Sequence, residues 1–172
     1  MPPAHQHNET ETIFLNKINS HRGIIYRIAR LYIENETERQ DLVQEMIYQL
    51  WRSFQNFEGK SSFSTWMYRV CLNTAITYSK KNNSSIRNHQ DQQLHLSGDE
   101  HPQEQNEKIE ILYQIIQTLS EVERALIFLY LEGLSGKEIA DNLGISEVNV
   151  RVKINRIKDK MKVKFKAYGY EY

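Results

Sequence analysis

Apolar residues recur along this chain at the three- and four-residue spacing of a helix with one buried side. Ile13, Phe14 and Ile18, then Ile24, Ile25, Ile28, Ala29 and Tyr32, predict one long or broken helix. Leu42, Val43, Met46, Ile47, Leu50, Trp51 and Phe54 form a second stripe, and Phe63, Trp66, Met67, Val70, Cys71 and Thr74 a third. A fourth stripe is Ile111, Leu112, Ile115, Ile116 and Leu119. Start signals follow. Ser120 with Glu123 is a capping box for a helix around residues 122–131, and Ser135 with Glu138 is a second box. Ser146 is a good N-cap for a last helix running through Met161. No strand pair and no repeat stands out, so the pattern predicts an all-α fold.

The periodicity lapses between residues 82 and 107. Asn82-Asn83-Ser84-Ser85 and Asn88-His89-Gln90-Asp91-Gln92-Gln93 are nearly without apolar side chains, and Ser97-Gly98-Asp99-Glu100-His101-Pro102 adds turn formers. Such a stretch buries too little surface to offset its ordering entropy and reads as a flexible polar linker. The expected organisation is a disordered tail at 1–12, a helical domain at 13–81, the linker at 82–107, a second helical domain at 108–166 and a tail at 167–172. The start is polar and has no apolar h-region, so no signal peptide is expected. No apolar run reaches the length of a membrane span, so no membrane insertion is expected.

Composition excludes several classes. The 172 residues hold one cysteine, Cys71, so a disulfide scaffold is impossible, and the cytoplasm is the expected place of work. Lys and Arg number 22, equal to Asp and Glu, which argues against a polybasic protein. The balance conceals blocks. Residues 59–87 carry five basic and no acidic side chains, and residues 148–172 carry eight basic and two acidic. Residues 88–110 are net −5 and residues 111–147 net −4.

The second basic block sits in a recognisable grammar. A short helix over residues 136–143 turns Ile139, Ala140 and Leu143 inward, and Ala140 is small enough for a second helix to cross closely. Gly144 stands where the chain must turn with φ > 0, Ile145 plugs the core and Ser146 caps the next helix. On that helix Val150, Ile154, Ile157 and Met161 mark the buried face. Arg151, Lys153, Asn155, Arg156 and Lys158 lie on other faces. This is a helix-turn-helix whose second helix has cations for phosphates and Arg and Asn for base edges.

In the first half, Asp41-Leu-Val-Gln-Glu-Met-Ile-Tyr-Gln-Leu-Trp-Arg-Ser-Phe54 leads to Phe57-Glu-Gly-Lys-Ser-Ser-Phe-Ser-Thr-Trp-Met-Tyr-Arg-Val-Cys-Leu-Asn-Thr-Ala-Ile-Thr-Tyr78. This run resembles region 2 of bacterial RNA polymerase sigma factors, in the compact extracytoplasmic-function group of the sigma-70 family. Leu134-Ser-Gly-Lys-Glu-Ile-Ala-Asp-Asn-Leu-Gly-Ile-Ser146 resembles region 4 of the same group. The ordered pair covers residues 13–166 and is far more specific than either motif alone.

The resemblance implies a function and roles. The chain is expected to direct RNA polymerase to promoters as an alternative-type sigma factor, with core polymerase, promoter DNA and an anti-sigma factor as partners. Asp41, Gln44 and Glu45 form the polar face expected to dock on polymerase. Phe57, Ser61, Ser62, Phe63 and Asn73 match positions around the pocket for a base flipped from the −10 element. Arg69, Lys80 and Lys81 are expected on phosphates. Trp66 is a candidate wedge for strand opening that reads better as core, and Met67 stands where housekeeping relatives carry a second aromatic. Ser146, Asn149, Arg151, Val152, Lys153, Asn155, Arg156 and Lys158 are expected at the −35 element. Val152 replaces a small polar residue of many relatives, which favours a thymine methyl contact over a hydrogen bond. No catalytic, metal-binding or cofactor-binding set emerges, so neither an enzyme nor a small-molecule substrate is expected. The competing readings are a free-standing helix-turn-helix regulator with a helical dimerisation or sensing domain, and a small helical enzyme or adaptor.

Overall fold

The computed structural model describes residues 4–86 and 104–170. Helices account for all its regular structure: α1 (Ala4–Ser20), α2 (Arg22–Tyr32), α3 (Glu36–Phe54), α4 (Phe63–Ile86), α5 (Glu104–Gln117), α6 (Glu121–Leu131), α7 (Gly136–Leu143) and α8 (Glu147–Ala167). The chain divides into two compact units, Met1–Ala75 and Ile76–Tyr172. The division falls inside α4, not in the polar stretch further on.

Three boundaries differ from the sequence pattern. The expected disordered tail at 1–12 is helical from Ala4. After Pro3 no breaker occurs before Gly23, so the helix that the Ile13–Phe14–Ile18 stripe requires extends backwards unopposed. The expected linker is likewise eroded at both ends, by α4 reaching Ile86 and α5 starting at Glu104. Its remainder, 87–103, lies outside the described residues. The expected tail at 167–172 is ordered through Tyr170, whose N–H reaches Phe165 O at 3.1 Å and closes the end of α8.

In the first unit the predicted long or broken helix breaks at His21. Its backbone N–H bonds Ile18 O and its carbonyl accepts from Ile24, each at 3.0 Å. The core gathers Phe14 and Ile18 of α1, Ile24, Ile25, Ile28 and Leu31 of α2, Leu42, Met46 and Leu50 of α3, and Met67, Cys71 and Leu72 of α4. Burial of each large side chain contributes about 1.5–3 kcal/mol. Asn35 caps α3 by accepting from Glu38 N–H at 3.1 Å, and Glu36 and Glu38 complement the positive end of the helix dipole.

The second unit is built round α6, where the five residues from Ala125 to Leu129 are all buried. A helix covered on every side has neighbours all round, and α5, α7 and α8 each pack against it. Both capping boxes form, at Ser120–Glu123 and Ser135–Glu138. One device recurs in both units: an arginine at the start of a helix satisfies the carbonyls left open at the end of the preceding one. Arg39 donates to Ile33 O at 3.2 Å and Glu34 O at 2.6 Å, and Arg124 donates to Leu119 O at 2.9 Å and to Gln117 O.

Candidate nucleic-acid interface

Helix α7 and α8 form the helix-turn-helix. Gly144 takes φ 67° and ψ 35°, and the N–H of Ile145 returns to Ala140 O at 3.2 Å. Only glycine enters this left-handed conformation without strain, so the turn is fixed by its residue. Ser146 Oγ then accepts from Asn149 N–H at 3.2 Å and starts α8. Val150, Ile154, Ile157 and Met161 are buried, as the pattern required. That commits one side of α8 to the core and turns Arg151, Val152, Lys153, Asn155 and Arg156 outwards, all exposed. Ser146 and Asn149, both expected at DNA, are exposed too, with Ser146 already serving the helix start.

Lys158 stands apart from the other expected contacts. Its Nζ donates to Tyr130 Oη at 2.6 Å and lies 4.1 Å from the centre of the same ring. It braces α8 on α6. Two residues on, Lys160 makes a second brace, with its Nζ 2.5 Å from Glu123 Oε1. The lysine and the two Ser120 hydrogen bonds hold the Glu123 carboxyl below its ordinary range, against a smaller opposing effect of burial.

In the first unit the expected pocket residues divide into two groups. Phe57 and Phe63 belong to an aromatic cluster at the start of α4, with ring centres 5.7 Å apart. Trp66 completes it, 5.0 Å from Phe57 and 5.2 Å from Phe63. Phe63 is buried beneath, with Lys17 Nζ 5.1 Å from its ring centre, while Phe57 and Trp66 are half-buried. Trp66 is thus less enclosed than a core reading expects, and Met67 is fully buried. Ser62 caps α4: its Oγ accepts from Thr65 N–H at 3.1 Å. Ser61 is exposed beside it. Asn73 lies seven residues beyond Trp66, about 10 Å along the helix axis, on an exposed stripe with Arg69. Lys80 and Lys81 are exposed further along α4.

On α3, Asp41 and Gln44 are exposed and Glu45 is half-buried, accepting from Gln49 Nε2 at 2.8 Å. Tyr48 continues the same face and is 56% exposed. The motif reading passed over it, although its spacing, four and seven residues beyond Gln44 and Asp41, places it there.

Two family profiles match the chain, one in each half. The Sigma-70 region 2 profile matches residues 18–85, and the Sigma-70 region 4 profile matches residues 109–161. The ECF RNA polymerase sigma-E factor of Haemophilus influenzae is 31% identical over 132 residues, 69% of this chain and 70% of that protein. The chain belongs to the extracytoplasmic-function group of the sigma-70 family. RNA polymerase sigma factor SigV of Bacillus subtilis is 24% identical over 155 residues, covering 90% and 92% of the two chains. Among solved structures, the sigma factor RpoE from Bartonella quintana, in complex with the anti-sigma factor NepR, has the same fold, with a TM-score of 0.71 at 16% identity over 92% of this chain and 97% of that one. As an alternative sigma factor the protein directs RNA polymerase to promoters for transcription initiation, binding core enzyme and promoter DNA. Sigma factors lend specificity to polymerase and are not themselves catalysts. Among the described residues no helix is long and apolar enough to cross a membrane.

Proposed function

We propose that this sigma factor works through three surfaces, each on a different helix. The outward face of α3, with Asp41, Gln44, Glu45 and Tyr48, docks on core polymerase. The aromatic cluster at the start of α4 receives a base extruded from the −10 element. Phe57 and Trp66 offer ring faces, buried Phe63 supports them from beneath, and the Ser61 hydroxyl meets the base edge, while the Asn73 amide, two turns further along α4, meets a neighbouring nucleotide. Unstacking that base costs a few kcal/mol, which ring stacking and hydrogen bonds offset. Arg69, Lys80 and Lys81 take the neighbouring phosphates. Helix α8 enters the major groove at the −35 element.

The observation that carries this reading is the outward row of α8. Arg151, Lys153 and Arg156 are exposed on a helix whose opposite side is fully used by the core. Arg151, Asn155 and Arg156 bond base edges, Lys153 a phosphate, while Ser146 and Asn149 hold the N-terminal end against the backbone. Lys158 acts as the brace to Tyr130. The protein works in the cytoplasm beside polymerase. A protein inhibitor of the anti-sigma kind, like that bound to the Bartonella relative, holds it inactive until a signal arrives.

The test is Arg156→Ala in holoenzyme. It is expected to weaken promoter binding by about 1–3 kcal/mol and to relax preference at one −35 position. A uniform loss over all sequences would move Arg156 to a phosphate, and no loss would remove α8 from the groove.

A further inference from the structure

The outward face of α8 also carries an apolar pair that phosphate binding does not account for. Val148 is 71% exposed and Val152 42% exposed. They lie four residues apart, one above the other on the helix surface. A β-branched side chain on a solvated helix face loses rotamer freedom against the preceding turn and gains no packing in return. Exposed Arg151, Lys153, Asn155 and Arg156 surround the pair. A cationic frame complements a polyanion, which selects nucleic acid as the occupant. Seven residues beyond Val152 on the same strip stands Asp159, exposed and repelled by phosphates. Val163, 73% exposed, lies further along the same side, but Asp159 separates it from the pair, so only Val148 and Val152 stand in the N-terminal turns, the part of a recognition helix that reaches base edges.

Valine has neither donor nor acceptor, so it cannot read a base by hydrogen bonding. The major groove presents one apolar group, the 5-methyl of thymine. We propose that Val148 and Val152 select thymines in the −35 element by packing on their 5-methyl groups. The pair is separated by about 6 Å of helix rise, while bases along one strand step by about 3.4 Å, so the two methyls come from base pairs one or two steps apart. This rests on the −35 assignment of α8 above and adds which base the element must contain.

The experiment uses the full chain assembled with core polymerase and a cognate promoter duplex in which uracil replaces thymine, one −35 position at a time. The exchange removes the methyl and keeps every hydrogen-bonding group. At two positions uracil is expected to weaken binding about three- to tenfold, and that sensitivity disappears at one position in Val148→Ser and at the other in Val152→Ser. A fully uracil-substituted −35 element that binds as tightly as the thymine duplex, while a scrambled element abolishes binding, overturns the methyl contact alone. A scrambled −35 element without effect overturns the placement of α8 as well. Because the uracil arm uses the unaltered protein, loss of folding cannot imitate either result.

Discussion

Gly144 and Glu123 show what single residues decide here. A Cβ at Gly144 meets nothing within 4 Å, so Gly144→Ala isolates the backbone cost of its positive φ. Thermal unfolding is expected to register a loss of about 1–2 kcal/mol, with Gly144→Asn losing less because Asn tolerates the left-handed region. Glu123 belongs to a capping box and also anchors Lys160 across to α8. With its carboxyl held below the ordinary value of 4.5, chiefly by the Lys160 hydrogen bond, its contribution is complete above that pH and is lost as acid protonates it in the folded state. Glu123→Gln is therefore expected to flatten the fall in stability on acidification below about pH 4.5, followed by denaturant titration at several pH values. Lys160→Met costs about 0.5–1 kcal/mol at neutral pH, since its ammonium is half-exposed. The caps were legible in the sequence because Ser and Glu three residues apart declare them locally. The braces were not: Lys158 finds Tyr130 over 28 positions and Lys160 finds Glu123 over 37, distances at which no local pattern operates.

At the scale of elements, α3 and α4 test the reading of faces. Asp41 is exposed, and Glu45 is bonded to Gln49 one turn along its own helix. Reversing both charges in Asp41→Lys with Glu45→Lys is expected to reduce core-polymerase binding at least tenfold while helical content and melting temperature stay near wild type. Affinity unchanged in a pull-down against core enzyme would place the docking face elsewhere. The stripes on α3, α7 and α8 were readable because one side of each meets the core and the apolar spacing records it. The N-terminal extension of α1 was not, since a polar helix of Asn, Glu and Thr has no apolar spacing to record. Trp66 was legible only in part. Helical spacing puts it near the core, but only the packing of Phe54, Phe57 and Phe63 shows it standing at the cluster's margin.

For the whole molecule, zero net charge is the sum of two cationic segments, 59–87 and 148–172, and acidic stretches elsewhere. The cationic segments overlap the parts matched by regions 2 and 4, and neutrality is expected to weaken the free chain's binding to random DNA. The order of the two motifs made the family readable. The boundary of the units did not follow composition: packing divides the chain within α4, before the polar stretch begins. The most direct measurement of the central claim is run-off transcription with purified core polymerase, this chain and genomic promoter fragments. Core enzyme with the chain is expected to produce discrete transcripts that require both a −10 and a −35 element, and neither component alone produces them. A chain that binds specific duplexes tightly by itself and adds no start sites to core polymerase would contradict the account.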